Sequence, residues 1–272
     1  MKAPSFAYAK PRALEEVFEL LERHGEGAKV LAGGQSLIPA LNMRLSAPEV
    51  LVDITGLTSL RSITLEQGVV RIGALTTHAD IEKSELIAKH VPMLAQAVPH
   101  IAHPAIRNRG TLGGSIALAD PAAEYPACLV ALEATVALTG KAGERLVAAQ
   151  DFFKGLFDVD LKPGEMVAAV EFPAIGKEES SVFLELARRH GDYAIIGVAA
   201  HKSTATRFVF LGAGATPVLA KGASQASTLE NATTLLEKDL TPPADLYHSS
   251  ATKLHLAKVL LSRAWNTLST PH

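Results

Sequence analysis

The stretch "LAGGQSLIPALNMRL", Leu31 to Leu45, sets Gly33 and Gly34 at the end of the apolar run "AKVLA" and follows them with a second apolar segment. Glycine gives up side-chain packing and loses more backbone freedom on folding than any other residue, so a glycine pair at this point implies a use for bare main chain. Working outward, "ALEEVFELLERH" (Ala13 to His24) carries Leu14, Val17, Phe18, Leu20 and Leu21 at helical spacing, with Gly25 and Gly27 as stop signals. "PEVLVDIT" (Pro48 to Thr55) reads as a strand. Together with the helix, the strand and glycine turn and this second strand make a small β-α-β-like unit with Gly33–Gly34 at a strand's carboxyl end, where α/β layers tend to bind ligands.

A second glycine stretch, "GTLGGSIALADPAAEYPA" (Gly110 to Ala127), raises the same question. Around it, "GVVRIGALTT" reads as a strand and "HADIEKSELIAKH" as a helix capped by Thr77. "MLAQAVPHIA" resumes a helical pattern after Pro92. "ATVALTG" and "EMVAAVEFP" read as strands, the latter stopped by its proline. The polar stretch "AIGKEESS" (Ala174 to Ser181) is the best linker. Beyond it, "VFLELARRHG", "AIIGVAAHKS" and "TRFVFLGAGA" suggest an antiparallel meander, and helical segments are expected near Ala223 to Leu236 and Tyr247 to Thr267. The expected pieces are 1–56, 57–174 and 175–272.

Bulk numbers exclude several classes. The 272 residues carry a net charge of −2, so there is no general basic field for nucleic acid. No apolar run approaches the ~20 residues of a bilayer span, and the N-terminus lacks a signal-like apolar core, which leads to the expectation of a cytoplasmic protein. The single cysteine, Cys128, excludes an internal disulfide and a self-contained iron–sulfur cluster, which needs about four thiolates. It reads as a small core residue.

Consecutive glycines let backbone N–H groups converge on an anion, and a phosphate or diphosphate is the usual guest. Gln35, Ser36, Thr111 and Ser115 could add side-chain donors. The alternative, two tight turns and nothing more, stays open at this level. No G-x-x-x-x-G-K-[ST] occurs, and "GAGATP" (Gly212 to Pro217) has a proline where a dinucleotide fingerprint needs its third glycine. His100 and His103 lack the carboxylate or thiolate partners of a metal set. No G-x-S-x-G elbow supports a hydrolase. Tyr193 offers a flat ring suited to a planar heterocycle, or is an ordinary strand-edge tyrosine.

Taken in order, "LAGGQSLIPALNMRL", "LVDI", "IGALTTHADIE", "HPAIRNRGTLGGSIALADPAAEYPACLVALEA", "LKPGEMVAAVEFP" and "RRHGDYAIIGVAA" closely resemble the FAD-binding medium subunit of molybdenum hydroxylases, the family of xanthine and carbon monoxide dehydrogenases. The resemblance spans nearly the whole chain and is looser over its last part. It implies an α+β fold: two α/β subdomains of the vanillyl-alcohol-oxidase (PCMH) type of FAD-binding fold, followed by a C-terminal antiparallel sheet with helices. It implies that Ala32, Gly33, Gly34, Gln35, Ser36 and Leu37 hold the diphosphate of FAD together with Thr111, Leu112, Gly113, Gly114 and Ser115. It places Ile101 and Ala102 along the cofactor cleft, Leu161 and Tyr193 beside the isoalloxazine, and Asp192 with Arg188 in a charged loop near its reactive edge.

Three departures stand out. Glu124 occupies a position where the family usually has Asp, and is expected to accept a sugar or ribityl hydroxyl. Glu185 stands where many members have Lys. Gln35 stands where covalent relatives of the wider fold have His, so the FAD is expected to be non-covalent. Gly114 is expected at positive φ, against the diphosphate.

The resemblance also implies an oxidoreductase subunit without acid–base catalytic residues of its own. Electrons would arrive from [2Fe-2S] clusters on a small iron–sulfur partner. The molybdenum cofactor would sit on a large molybdopterin subunit, the whole assembling as a dimer of heterotrimers, and an external acceptor would take the electrons. A stand-alone flavin oxidase and a non-catalytic nucleotide-binding module are the competing readings.

Overall fold

A computed structural model describes residues 2–270. The helix Leu14–His24 forms as its spacing predicts, burying Val17, Phe18 and Leu21 and ending where Gly25 turns at φ 49°. It lies on a three-stranded parallel sheet in the order Ala7–Ala9, Val50–Asp53, Ala28–Leu31. The first of these strands is too short to show in a hydrophobic pattern. Asp53 ties the edges of this unit together: it accepts from Thr55 N (2.9 Å) and Thr55 Oγ1 (2.6 Å), and from the Tyr8 hydroxyl.

The second unit is a five-stranded antiparallel sheet in the order Ile63–Glu66, Val69–Gly73, Met166–Pro173, Thr135–Gly140, Gly143–Ala148. Its outer strands, "ITLE" and "GERLVA", are mostly exposed and polar, which hides them from a search for apolar runs and protects the sheet's edges from pairing with another chain. The helix Glu124–Ala131 is buried on every side, as its continuous apolar sequence requires.

"HADIEKSELIAKH" forms two helices, His78–Lys83 and Glu85–His90, rather than one. Ser84 is extended (ψ 113°) and its hydroxyl accepts from Ile87 N at 3.3 Å, so it caps the second helix at the cost of continuing the first. Thr77 caps the first in a reciprocal box with Asp80.

The C-terminal part is a four-stranded antiparallel meander, Ser180–Leu186, Ile196–Lys202, Thr206–Leu211 and Val218–Leu219, followed by helices Lys221–Gln225, Leu229–Asp239 and Ser250–Ser269. The single helix expected near Ala223 to Leu236 is thus two. Asp239 accepts from Gly222 N (3.0 Å) and Ala223 N (2.8 Å), pinning the short helix against the end of the next. Tyr247 precedes the last helix instead of starting it, because Asp245 holds Tyr247 N and His248 N in a turn.

This meander is covered on both faces. Val182, Val198, Phe208 and Phe210 face the C-terminal helices. Phe183, Ala199, Val209 and Leu211 join the core of the second unit. Leu75, Met166 and Ala168 likewise enter the core of the first unit. Among the described residues, no helix is long and apolar enough to cross a membrane.

Candidate cofactor-binding site

The strand Ala28–Leu31 delivers the chain to Gly34, which turns at φ 73°, and the helix Leu37–Asn42 leaves from the turn. Gln35 Nε2 donates to Gly33 O (3.0 Å), bracing the loop from within. The first inward bond of the helix runs from Ile38 N to Gly34 O. The N–H groups of Gly33, Gly34, Gln35, Ser36 and Leu37 have no acceptor among the described residues. Such a run of consecutive donors is an anion cradle.

The second loop is built differently. Leu112 N donates to Thr76 O, Gly113 N to Ala74 O, Gly114 N to Thr111 Oγ1 and Ser115 N to Thr111 O. Its main chain is therefore largely committed to the protein. Gly113 is needed for packing, because a Cβ there would stand 2.5 Å from Ala74 Cβ. Gly114 belongs to the helix Leu112–Leu118 and is not among the residues at positive φ, so the conformational argument for a glycine there fails. It is exposed, and a Cβ would meet only Thr111 Oγ1, at 3.0 Å.

The two loops meet. A Cβ on Gly33 would lie 2.2 Å from Arg109 O and 2.8 Å from Gly110 Cα. The segment Arg109–Gly110 that leads into the second glycine motif is thus a contact surface for the first.

Arg107 organises the third wall. It is 7% exposed, forks onto Glu82 (Nε–Oε2 2.9 Å, Nη2–Oε1 3.2 Å), and its Nη1 donates to Ile101 O and Ala102 O, both at 3.1 Å, and to Pro99 O at 3.4 Å. Ala102 is held at φ 48°, a left-handed conformation uncommon for alanine, with its carbonyl gathered by this guanidinium. A Cβ on Gly191 would be 2.8 Å from Ala102 O, so the segment bearing Asp192 and Tyr193 lies against Ile101–Ala102. Tyr193 is 73% exposed and presents a free ring. Asp192 and Arg188 pair at 3.8 Å, and Arg188 also stacks on Tyr247 at 4.8 Å. Leu161 packs on the main core from the segment leaving the hairpin Phe153–Gly155/Asp158–Val159.

Several buried polar groups escaped the sequence reading. Arg107 sits in "HPAIRNRG" with nothing in its spacing to single it out, and Glu82 lies 25 residues before it. His78 is 5% exposed beneath Gly110, its ring tilted at 53° against Tyr125 with centroids 5.4 Å apart, and burial holds its pKa down at about 4, with the Arg107 charge adding to the effect. Burial pushes Glu124 up to about 8, helped by the charges of Glu185 and Asp120. Burial therefore favours the neutral carboxyl at Glu124, the residue the sequence reading gave as an acceptor for a cofactor hydroxyl. Cys128 is buried and its thiol is pushed up by desolvation. His100 faces Glu185 (3.3 Å). No group of three or more metal-type ligands occurs among the described residues.

A mixed α/β pair of subdomains clamping a cleft between glycine loops, with an antiparallel C-terminal domain, is the architecture of a PCMH-type FAD-binding oxidoreductase subunit. Residues 4–175 match the family described as FAD binding domain in molybdopterin dehydrogenase, and residues 181–268 the CO dehydrogenase flavoprotein C-terminal domain. The chain belongs to the FAD-binding medium subunits of the molybdenum hydroxylase family. It is 42% identical to the 6-hydroxypseudooxynicotine dehydrogenase complex subunit alpha of Paenarthrobacter nicotinovorans over 80% of this chain and 76% of that one. It is 32% identical to the carbon monoxide dehydrogenase medium chain of Afipia carboxidovorans over 96% and 95%. The solved carbon monoxide dehydrogenase of Hydrogenophaga pseudoflava superposes with a TM-score of 0.94 at 34% identity, covering 98% of each chain.

Proposed function

We propose that this chain binds FAD non-covalently and carries electrons between [2Fe-2S] clusters on a small iron–sulfur partner subunit and an external acceptor. A large molybdopterin subunit performs the hydroxylation. The observation that carries the reading is the row of free N–H donors from Gly33 to Leu37, closed on one side by Arg109–Gly110. This cradle suits a diphosphate, and nothing among the described residues uses it.

Within that reading, Ala32, Gly33, Gly34, Gln35, Ser36 and Leu37 hold the diphosphate. Thr111 acts as the cap that shapes the second loop, while Gly113 sets its packing and Gly114 and Ser115 supply its open surface. Ile101 and Ala102 form the wall positioned by Arg107, and Glu124, Leu161, Asp192 and Tyr193 border the rest of the cofactor. The division into 1–56, 57–174 and 175–272 is supported by the three larger sheets, one to each piece, with the two-stranded hairpin Phe153–Gly155/Asp158–Val159 inside the second. FAD supplies the redox chemistry; the chain's residues bind, orient and shield it. Gln35 has an amide that cannot form a histidyl bond to the ring. The single cysteine leaves the clusters to a partner, in what we take to be a cytoplasmic heterotrimer that pairs with a second copy of itself.

Co-expression with candidate iron–sulfur and molybdopterin subunits tests this directly. Expected is a yellow ternary complex whose flavin is reduced by substrate only when both partners are present. Reduction of flavin by substrate in the isolated chain favours a stand-alone oxidase. A colourless chain that takes up no added FAD overturns the reading.

A further inference from the structure

The strand Ser180–Leu186 lies at the outer edge of the C-terminal sheet, so one side of it has no neighbouring strand to take its N–H and C=O groups. A side chain from the FAD-binding part takes two of them. Gln96 Oε1 accepts from Phe183 N at 2.8 Å, and Gln96 Nε2 donates to Ser181 O at 3.4 Å. A carboxamide carries an acceptor and a donor on one planar group, so it stands in for a peptide unit of the missing strand. Its partners fix its orientation: the N–H of Phe183 requires the oxygen, and the carbonyl of Ser181 requires the nitrogen.

Gln96 lies in the last turn of the helix Pro92–Ala97, which the short helical turn Val98–His100 continues. His100 is four residues on and so falls on the same face. It meets the same strand further along: its Nδ1 stands 3.3 Å from Glu185 Oε1, and its ring is 5.6 Å from that of Phe183. The ring also lies edge-on to His190 at 6.2 Å. Gly191 then presses on the next part of the segment, where a Cβ would be 2.8 Å from Ala102 O and 2.9 Å from His103 Nδ1. The contacts advance together along both segments: Gln96 with Ser181 and Phe183, His100 with Phe183, Glu185 and His190, Ala102 with Gly191. The strand runs directly into the loop that carries Asp192 and Tyr193, and Ile195 N closes that loop by donating to Leu186 O at 2.8 Å.

We propose that Gln96 and His100 are positioning residues for this loop. They clasp the edge strand to the segment that ends in the Ile101–Ala102 wall, and so set where Tyr193 stands relative to that wall. The clasp fixes the surroundings of the isoalloxazine and takes no part in the grip of Gly33 to Leu37 on the diphosphate. The effect on the flavin rests on the FAD reading above; the clasp itself does not.

Two readouts on the full chain test this. Gln96→Met keeps an unbranched stem at an exposed position and removes both hydrogen bonds, so the chain should retain its circular dichroism. In the apo chain, hydrogen–deuterium exchange at Phe183 and across residues 187–194 should run about fivefold faster, the effect of one net hydrogen bond. Gln96→Glu keeps an acceptor for Phe183 N and should fall between the two. In the FAD-loaded chain, an electron-rich phenol held on the isoalloxazine quenches its fluorescence. Emission per bound flavin should therefore rise in Gln96→Met and in His100→Ala toward the level of Tyr193→Leu, while FAD affinity stays close to wild type. If Gln96→Met fails to fold, His100→Ala carries both readouts. Wild-type exchange across residues 187–194 in the folded variant overturns the clasp. Faster exchange with unchanged emission makes the contact structural only and overturns the positioning role, as does a Tyr193→Leu chain with unchanged emission. A wild-type chain that takes up no FAD refutes the FAD reading alone, and the exchange rates then decide the clasp.

Discussion

At the scale of single residues, the four loop glycines have four different reasons to be glycine. Gly33 gives Arg109 O room, Gly34 supplies a positive φ, Gly113 lets a helix lie on Ala74, and Gly114 leaves a surface open. Substitutions should separate these roles. Gly113→Ala forces a contact well inside van der Waals distance and should cost about 1–3 kcal/mol of stability by chemical denaturation. Gly114→Val should leave the apo chain folded, with Thr111 shifting to accommodate it, yet lower FAD retention at least tenfold in an equilibrium titration. Wild-type affinity in that variant would remove Gly114 from the site.

Elements show how local signals compete. The Thr77 box and the Ser84 hydroxyl end and begin helices more strongly than the surrounding apolar pattern continues them. The segment Pro99–Ala102 shows the reverse: no local preference places Ala102 at φ 48°, and the carbonyls are gathered there by Arg107. Lysine has the charge without the fork. Arg107→Lys should therefore keep the fold, lose the bidentate grip on Glu82, and weaken FAD binding about tenfold as Ala102 relaxes. An unchanged affinity with a lowered melting temperature would make Arg107 purely structural.

For the whole molecule, buried ionisable groups set the pH range of stability. His78 is neutral in the folded chain down to about pH 4, whereas an unfolded histidine takes a proton below about 6.5. Between those values the unfolded state binds more protons, so stability falls as pH drops, by roughly 2–3 kcal/mol over the window. Glu124 acts oppositely. It holds its proton up to about pH 8 when folded and loses it near 4.5 when unfolded, so stability falls as pH rises through that interval. Urea midpoints should be highest between about pH 4.5 and 6.5, where the two effects offset, and fall toward pH 8 and toward pH 4, with the acid limb lost in His78→Gln. A pH-independent midpoint would contradict both assignments. The C-terminal sheet is also part of this unit, since Phe183, Ala199, Val209 and Leu211 share the core of the FAD-binding part, and Gln96 Oε1 accepts from Phe183 N at 2.8 Å. Cutting the chain near residue 176 would bare that face.

From its sequence alone this chain declared its helix stripes, its central strands, the two glycine motifs and, through their order, its family. Those signals are local: periodicity, caps and turns act within a few residues. The polar outer strands stayed hidden because their pattern follows solvent rather than a core. What only the tertiary structure decided was the use of each motif: that one glycine loop keeps its amides free while the other spends them on Ala74, Thr76 and Thr111, that Arg107 reaches back to Glu82, and that Glu124 is buried. Hydrogen-bond partners and desolvation belong to groups brought together across long stretches of chain, and no spacing rule carries that information.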